Sequence, residues 1–426
     1  MLNITTLCSC KKVALLGNMN NNLFNLTRYL RDEGFEAVLY VFPYDPVHFL
    51  PEADTFDDGY KTFARFPGWG NPYELNKTSS EEIRKELDEY DFIIGCGTSP
   101  AYLSMAGIAL DLFTPYGSDL YHFPFFNIFH PRKLLSYIAG LFQKRKEIQQ
   151  LPSRPGNIKG YIPFVIHQRR GIREAANCAV LTSGNDIYGQ SLRKLGYRNR
   201  HFLFSVPMIY ASQYNKDAIA HSYAKSSWYK SFKEIRDKYN FVVFHNCRHC
   251  WKYEKDPASF KGNDRLLKGF AQFRQKYPGK GAIITFEYGT DVPESKKLAL
   301  ELGIEADVHW FPLMARKELL IGMSLSDLVV GNLSDASWAT YGVVYESMAV
   351  SKPIMHHRED ELYHKETLYP MINAYSSNMV SKSLLYYFIH RDELITMGLK
   401  ANEWFIRSCI NEPVDQIVEL INSKQS

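Results

Sequence analysis

Three stretches in the C-terminal half of the chain carry residue types that could handle a phosphate ester. Arg248 follows the apolar run Phe241–His245, and Lys261-Gly262 opens the next helical pattern. A guanidinium is a planar fork of donors, whereas a lysine ammonium is a mobile point charge. Together, beside a helix N-terminus, they suit a diphosphate. The third stretch runs Gly331-Asn332-Leu333-Ser334-Asp335-Ala336-Ser337-Trp338-Ala339-Thr340-Tyr341-Gly342. It is small, polar and glycine-bounded, and it leads into a helical pattern holding Glu346. Free N–H groups in such a loop can hold phosphate oxygens, and a carboxylate one turn into the helix can accept both hydroxyls of a ribose. Glu346 has an equally plain structural reading, as the charge partner of its own helix N-terminus.

Other candidates carry two readings each. After the first strand comes Gly17-Asn18-Met19-Asn20-Asn21-Asn22. It reads either as a strand-to-helix turn with an asparagine N-cap, or as a polar loop in which Gly17, Asn18 and Asn20 meet an acceptor. It is not GxGxxG, and no Walker sequence occurs, so nicotinamide, flavin and P-loop chemistry lack their sequence support. Asp119 is the acid candidate of the N-terminal half, with helix capping as its alternative. His356-His357 end a strand-like run, either touching a ligand at the strand end or forming a satisfied pair. The cluster His245-Asn246-Cys247-Arg248-His249-Cys250 invites a metal. Its ligands lie too close in sequence for all to reach one tetrahedral ion, and no second pair follows at finger spacing, so no metal is expected.

The elements that must position these residues alternate as βα units. Strand-like runs are Lys12–Gly17, Ala37–Phe42, Asp91–Gly95, Leu110–Thr114, Cys178–Thr182 and Phe202–Val206. A softer stretch from Pro207 to Ser222 follows, and the alternation restarts with Phe241–His245, Ala282–Phe286, Val308–Phe311, Leu328–Val330 and Pro353–His356. Helical patterns lie between them, including Asp264–Lys276, Glu294–Leu302, Arg316–Met323 and Val343–Val350. This predicts an α/β protein of two Rossmann-like, doubly wound domains facing a central cleft. Their expected extents are 1–210 and 211–404, with a C-terminal helix at about 405–426 returning to the first. In open parallel sheets, ligands bind at the strand carboxyl ends.

The order of these features resembles GT-B glycosyltransferases, specifically the retaining family-4 type. In that family an Arg follows the first strand of the second domain, and Lys-Gly precedes its first helix. An E-x7-E segment then runs into an "EAMA-GKP" strand. The similar stretches here are His245-Asn246-Cys247-Arg248, Lys261-Gly262-Asn263-Asp264 and Glu346-Ser347-Met348-Ala349-Val350-Ser351-Lys352-Pro353-Ile354. Thr114-Pro115-Tyr116-Gly117-Ser118-Asp119-Leu120 is similar to the family's "HGSD" segment. The resemblance implies that Arg248 and Lys261 bind the donor diphosphate and Glu346 the ribose. Asn332, Ser337, Trp338, Thr340, Tyr341, Gly342 and His356 are then placed around the donor, and Asp119 on the acceptor side of the chemistry. It further implies a nucleotide-sugar donor of UDP, GDP or ADP type, no metal in the chemistry, retention of configuration and a glycan or lipid-linked acceptor. The family's first Glu is absent: Trp338 stands eight residues before Glu346, and a one-residue shift gives Ala339. Asp335 is the acid that could replace it. A non-catalytic, GT-B-like binding or assembly protein is the alternative.

Composition narrows the classes. The 426 residues are 45% hydrophobic and 23% charged, enough to bury large cores. A net charge of +4 does not indicate a nucleic-acid partner. Seven cysteines without regular spacing fit a reducing compartment, and the first residues lack a signal-peptide pattern, so a cytoplasmic protein is expected. The average hides one segment. Residues 131–173 hold ten Lys/Arg against the single acid Glu147, a net charge of +9. The aromatic run Phe123-Pro124-Phe125-Phe126 lies just before it. Basic charge beside apolar rings suits an anionic membrane surface through residues 123–173; a core helix with a solvated basic face is the alternative.

Overall fold

Short, mostly apolar runs form two parallel sheets. The structure, a computed structural model, describes residues 11–43, 45–125, 158–180, 187–253, 259–335, 342–362 and 368–424. In the first sheet the strands are β1 (Lys12–Leu16), β2 (Glu36–Tyr40), β3 (Ala64–Arg65), β4 (Phe92–Gly95), β5 (Leu112–Phe113), β6 (Asn177–Ala179) and β7 (Arg200–Phe202). Their spatial order is β3-β2-β1-β4-β5-β6-β7. The second sheet holds β8 (Phe241–His245), β9 (Gly281–Phe286), β10 (Val308–Phe311), β11 (Leu328–Val330), β12 (Ile354–His356) and β13 (Ile372–Asn373), ordered β10-β9-β8-β11-β12-β13. Strand order therefore reverses between β1 and β4 and between β8 and β11. These are the two switch points at which open α/β sheets leave a crevice beyond the strand carboxyl ends.

Helices cover the sheets. They are α1 (Asn22–Asp32), α2 (Ser80–Leu87), α3 (Ser99–Ala106), α4 (Ser118–Tyr121), α5 (Ile158–Glu174) and α6 (Ile187–Leu195), then α7 (Ala211–Tyr214), α8 (Tyr229–Lys238), α9 (Asn263–Lys276), α10 (Val292–Glu301), α11 (Arg316–Ser324), α12 (Gly342–Ala349), α13 (Ser377–Ile389), α14 (Arg391–Phe405) and α15 (Glu412–Ser423). Central strands are buried on both faces: β8 reads FVVFH with all five residues buried, as a sheet sandwiched between helices requires. Aromatic rings fill much of both cores. Trp69, Tyr102, Phe113 and Phe164 sit in the first; Phe241, Phe270 and Phe273 in the second.

The chain separates into two compact units. One comprises Met1–Pro51, Asp57–Pro207 and Pro413–Ser426; the other comprises Glu52–Phe56 and Met208–Glu412. Five residues of the N-terminal half thus belong to the second unit, which no composition shift announces. The strand expected at Phe202–Val206 lies instead at Arg200–Phe202. Its first two residues are exposed and polar, so an edge strand is hidden from a search for apolar runs. No helix among the described residues is long and apolar enough to cross a membrane.

Candidate functional site

At the second switch point, Asn246, Cys247 and Arg248 follow β8, while Gly331–Asp335 follow β11. The pairing of Val243 with Leu328 and Phe244 with Val329 brings both loops to one end of the sheet. Arg248 is half-buried and forms no hydrogen bond or ion pair with any described residue. A buried web fixes the loop around it. His245 donates from Nδ1 to the Val330 carbonyl at 2.9 Å and accepts from Asn263 at Nε2, also at 2.9 Å. His249 bridges Ser295 at 2.8 Å and Thr285 at 2.9 Å. Burial pushes the two rings down, to about 4 for His245 and about 3 for His249, so both are neutral at pH 7. With every ring nitrogen in use, and burial pushing the Cys247 thiol up to about 12, this cluster is a structural clasp rather than a ligand set. Among the described residues, no three His, Cys, Asp or Glu are grouped to hold a metal.

Lys261 and Gly262 are stitched between the two loops. The Lys261 N–H donates to Cys250 O at 2.7 Å, and its carbonyl accepts from Leu333 N at 3.1 Å. Gly262 caps α9 with φ +64°, and a Cβ there would come 3.0 Å from the Leu333 carbonyl. Only glycine accepts both constraints without strain. In the loop after β11, Asn332 is buried with Nδ2 unpartnered among the described residues, as are the buried Ser334 Oγ and Asn246 Oδ1. Buried polar atoms left unpaired are uncommon and costly, which marks this place as one completed by a ligand or by solvent.

Glu346 enters the same region from α12. It is buried and accepts from Asn246 Nδ2 and from Arg316 Nε, each at 3.1 Å. Arg316, the first residue of α11, also donates from Nη1 to Asp54 at 3.0 Å. Burial works against the Arg316 charge, but Asp54 and Glu346 outweigh it and raise its pKa. Neither Arg316 nor Asp54 stands out in the sequence: Arg316 reads as an ordinary helix start, and Asp54 lies 262 residues away from it.

Other candidates are placed differently. Asp335 forms a two-pronged ion pair with Arg265, both contacts 2.9 Å, on the exposed side of the loop. His356 is fully buried, donating from Nδ1 to His357 O and accepting from Tyr369 at Nε2, both 2.8 Å. Burial pushes it down to about 3. Gly342 begins α12, and a Cβ there would lie 3.8 Å from Glu346 Oε1. Ser337, Trp338, Thr340 and Tyr341 lie outside the described residues, as does most of the segment 123–173.

At the first switch point, Gly17 takes φ +86°, and Asn20 and Asn21 take φ 48° and 60°. Asparagine tolerates that left-handed region better than most residues, which explains the run of asparagines. Asn18 is buried and turned inward: Nδ2 donates to Asn21 Oδ1 at 2.8 Å and to Phe49 O, and Oδ1 accepts from Phe24 N at 2.9 Å. The residue that satisfies the start of α1 is therefore Asn18, not the N-cap Asn21, whose side chain makes no capping bond. Asp119 is buried and accepts N–H groups from Gly97 at 3.0 Å, Tyr116 at 3.1 Å and Gly117 at 2.9 Å. Burial pushes its carboxyl up to about 7 despite these bonds.

No family model matches the chain, and no curated relative matches it. Solved structures do. Anabaena HepE in complex with UDP and glucose matches with a TM-score of 0.56 at 15% identity, covering 97% of this chain and 100% of that one. A glycosyltransferase from Rickettsia africae gives 0.58 at 12% identity, covering 98% and 99%. Sucrose-phosphate synthase from Thermosynechococcus elongatus gives 0.53 at 13%, covering 97% and 98%. At such identities the likeness concerns the fold.

Proposed function

We infer from the GT-B fold that this chain shares with those glycosyltransferases that it moves a sugar from a nucleotide-sugar donor to a glycan or lipid-linked acceptor. The observation that carries this reading is Arg248, a half-buried cation without a partner among the described residues, at the same sheet end as the unpartnered amide donor Asn332 Nδ2. A cation and an amide donor left open at a switch point are what a nucleoside diphosphate would fill. The HepE structures hold UDP or UDP-glucose, which makes a uridine nucleotide the first donor to try. Arg248 and Lys261 take the diphosphate, Asn332 the loop-side oxygens and Glu346 the ribose. In the retaining course, the bond from the sugar carbon to the diphosphate breaks as the acceptor oxygen bonds to that carbon on the same face. The acceptor proton passes to a diphosphate oxygen, and the cations stabilise the leaving group.

The test is a melting-temperature screen against UDP-, GDP- and ADP-glucose, since a ligand bound to the native state alone raises the melting point. No shift with any of them, at concentrations well above millimolar donor affinity, would sink the reading. A second reading, a nucleotide-sugar binding protein without transfer, is favoured by Trp338 and Ala339 standing where the family carries an acid. Release of nucleoside diphosphate only when an acceptor glycan is supplied would eliminate it.

An anionic membrane surface is the proposed site of action. On α5, Ile162 and Ile166 are 44% and 59% exposed, and Arg169, Arg170 and Arg173 are exposed further along the helix. Apolar side chains beside unburied arginines complement acidic headgroups over an acyl boundary. Sedimentation with phosphatidylserine vesicles at low salt, lost on replacing Ile162 and Ile166 by Ser, is expected; no sedimentation of the parent protein would end this part of the proposal.

A further inference from the structure

We propose that Arg316, fixed by Asp54, is a positioning residue that sets the Glu346 carboxylate for reading the ribose hydroxyls of a nucleotide; this rests on the function proposed above. Arg316 bridges two carboxylates from one fork, donating Nε to Glu346 at 3.1 Å and Nη1 to Asp54 at 3.0 Å. Nη1 also donates to Met208 O at 3.2 Å. A lysine could not do this, because an ammonium offers no planar pair of directed donors at fixed separation. Asp54 is fully buried, and the Arg316 side chain is 12% exposed.

The short segment Glu52–Phe56 is itself clamped. Tyr214 donates to Asp54 O, Gln213 Nε2 donates to Thr55 Oγ1 at 2.7 Å, and Lys317 Nζ donates to Thr55 O at 3.3 Å. The Lys317 ammonium also lies 4.7 Å from the Phe56 ring centroid. Glu346 is thereby held from two sides, by Arg316 on Oε1 and by Asn246 on Oε2. A carboxylate has roughly four acceptor positions, so lone pairs remain for hydroxyl donors after these two bonds.

Charge supports the same division of labour. Two carboxylates share one guanidinium, so Arg316 is divided between Asp54 and Glu346. Glu346 keeps acceptor capacity for O–H donors. The diphosphate is left to Arg248 and Lys261, and the ribose to Glu346. A buried ion-pair network adds little net stability over a well-packed apolar one. Its gain here is a carboxylate whose direction is set before the nucleotide arrives, as precise sites require of their supporting groups.

The experiment compares affinities for UDP, GDP and ADP with those for their 2′-deoxy counterparts. For the base that the parent protein accepts, a preference of roughly tenfold for the ribonucleotide is expected, the scale of one charge-assisted hydrogen bond. Arg316→Gln and Asp54→Asn are expected to cut it below about threefold while changing the 2′-deoxy affinity by less than about twofold. Glu346→Gln reaches the same ratio, and Glu346→Gln with Arg316→Gln goes no further. Arg316→Lys, which keeps the charge and loses the fork, carries the test if Arg316→Gln does not fold. Equal loss of both nucleotides marks a merely structural role and overturns the positioning role. An unchanged ratio overturns it as well, while leaving the function reading standing. A parent protein that binds no nucleotide of either kind overturns both.

Discussion

The two switch points are built alike and furnished oppositely. Beyond β1 and β4 the ionisable groups include two acids, half-buried Asp45 and buried Asp119, with Cys96 and Tyr116 close enough to feel both charges. Burial pushes both carboxyls up to about 7. The polar side chains there are turned inward, Asn18 onto its own loop and Asp119 onto three backbone N–H groups. Beyond β8 and β11 the half-buried Arg248 has no partner among the described residues, and the amides of Asn246 and Asn332 each keep one atom unpaired there. Among the described residues both ends keep unpaired buried atoms, Asn22 Oδ1, Ser99 Oγ and Gln168 Oε1 at the first and Asn246 Oδ1, Asn332 Nδ2 and Ser334 Oγ at the second. The contrast is in charge, acids turned inward at one and an open cation at the other. Strand order alone makes both ends crevices, so polarity and pairing must decide which one takes a charged donor.

The largest expected effect comes from the cationic end. Arg248→Ala should weaken nucleoside diphosphate binding about 30- to 100-fold, the loss of a charged hydrogen-bonding partner worth ~2–3 kcal/mol. Its melting point should stay within a degree or two, because Arg248 supports no described residue. A large drop in melting point with unchanged binding would erase the contrast. At the acidic end the outcome should invert. Asp119→Ala leaves three N–H groups without their acceptor and should cost about 2 kcal/mol of stability, visible as a lower urea midpoint, with nucleotide affinity unchanged.

The smallest effect is a difference in pH slope between the units. Asp45 and Asp119 have folded pKa values above the usual 3.8 for aspartate. From about 4 to about 7 the folded first unit therefore binds more protons than the unfolded chain, and its stability falls as pH rises. In the second unit, His245, His249 and His356 are held below the usual 6.5, at about 4, 3 and 3. Below 6.5 the unfolded chain binds more protons there, so that stability rises with pH up to about 6.5 and is lost as pH falls towards 4. Hydrogen exchange at pH 5 and pH 6.5, corrected for intrinsic rates, should show protection declining across β1, β4 and β5 and growing across β8, β11 and β12. The same direction in both units would remove the electrostatic half of the contrast.

Much of the scaffold was legible because its signals are local. The apolar run of β8, the loop after β11 and the helix holding Glu346 each declare themselves within one window of sequence. Two-residue strands such as β3 and β13 were not legible, since so short a run carries no period. The polar edge strand β7 was missed for the related reason that exposure removes its apolar signal. Asp119 could be read as acid or cap, and no local pattern distinguishes them. The three N–H groups that converge on it come from two loops. His356 is similar: its place at a strand end is visible, but the Tyr369 hydroxyl that closes its ring is not.

What the sequence determined by itself was the alternation of two βα series and the residue types at their turns. Those follow from periodicity and backbone preference, which act over a few residues. Tertiary structure alone decided which of those residues are free to act. It seated Asp54, from the N-terminal half, against Arg316, and Arg316 against Glu346, while leaving Arg248 without a partner among the described residues. Pairing and burial are set by long-range packing, and a side chain's charge becomes a binding property only once that packing has settled which neighbours it keeps.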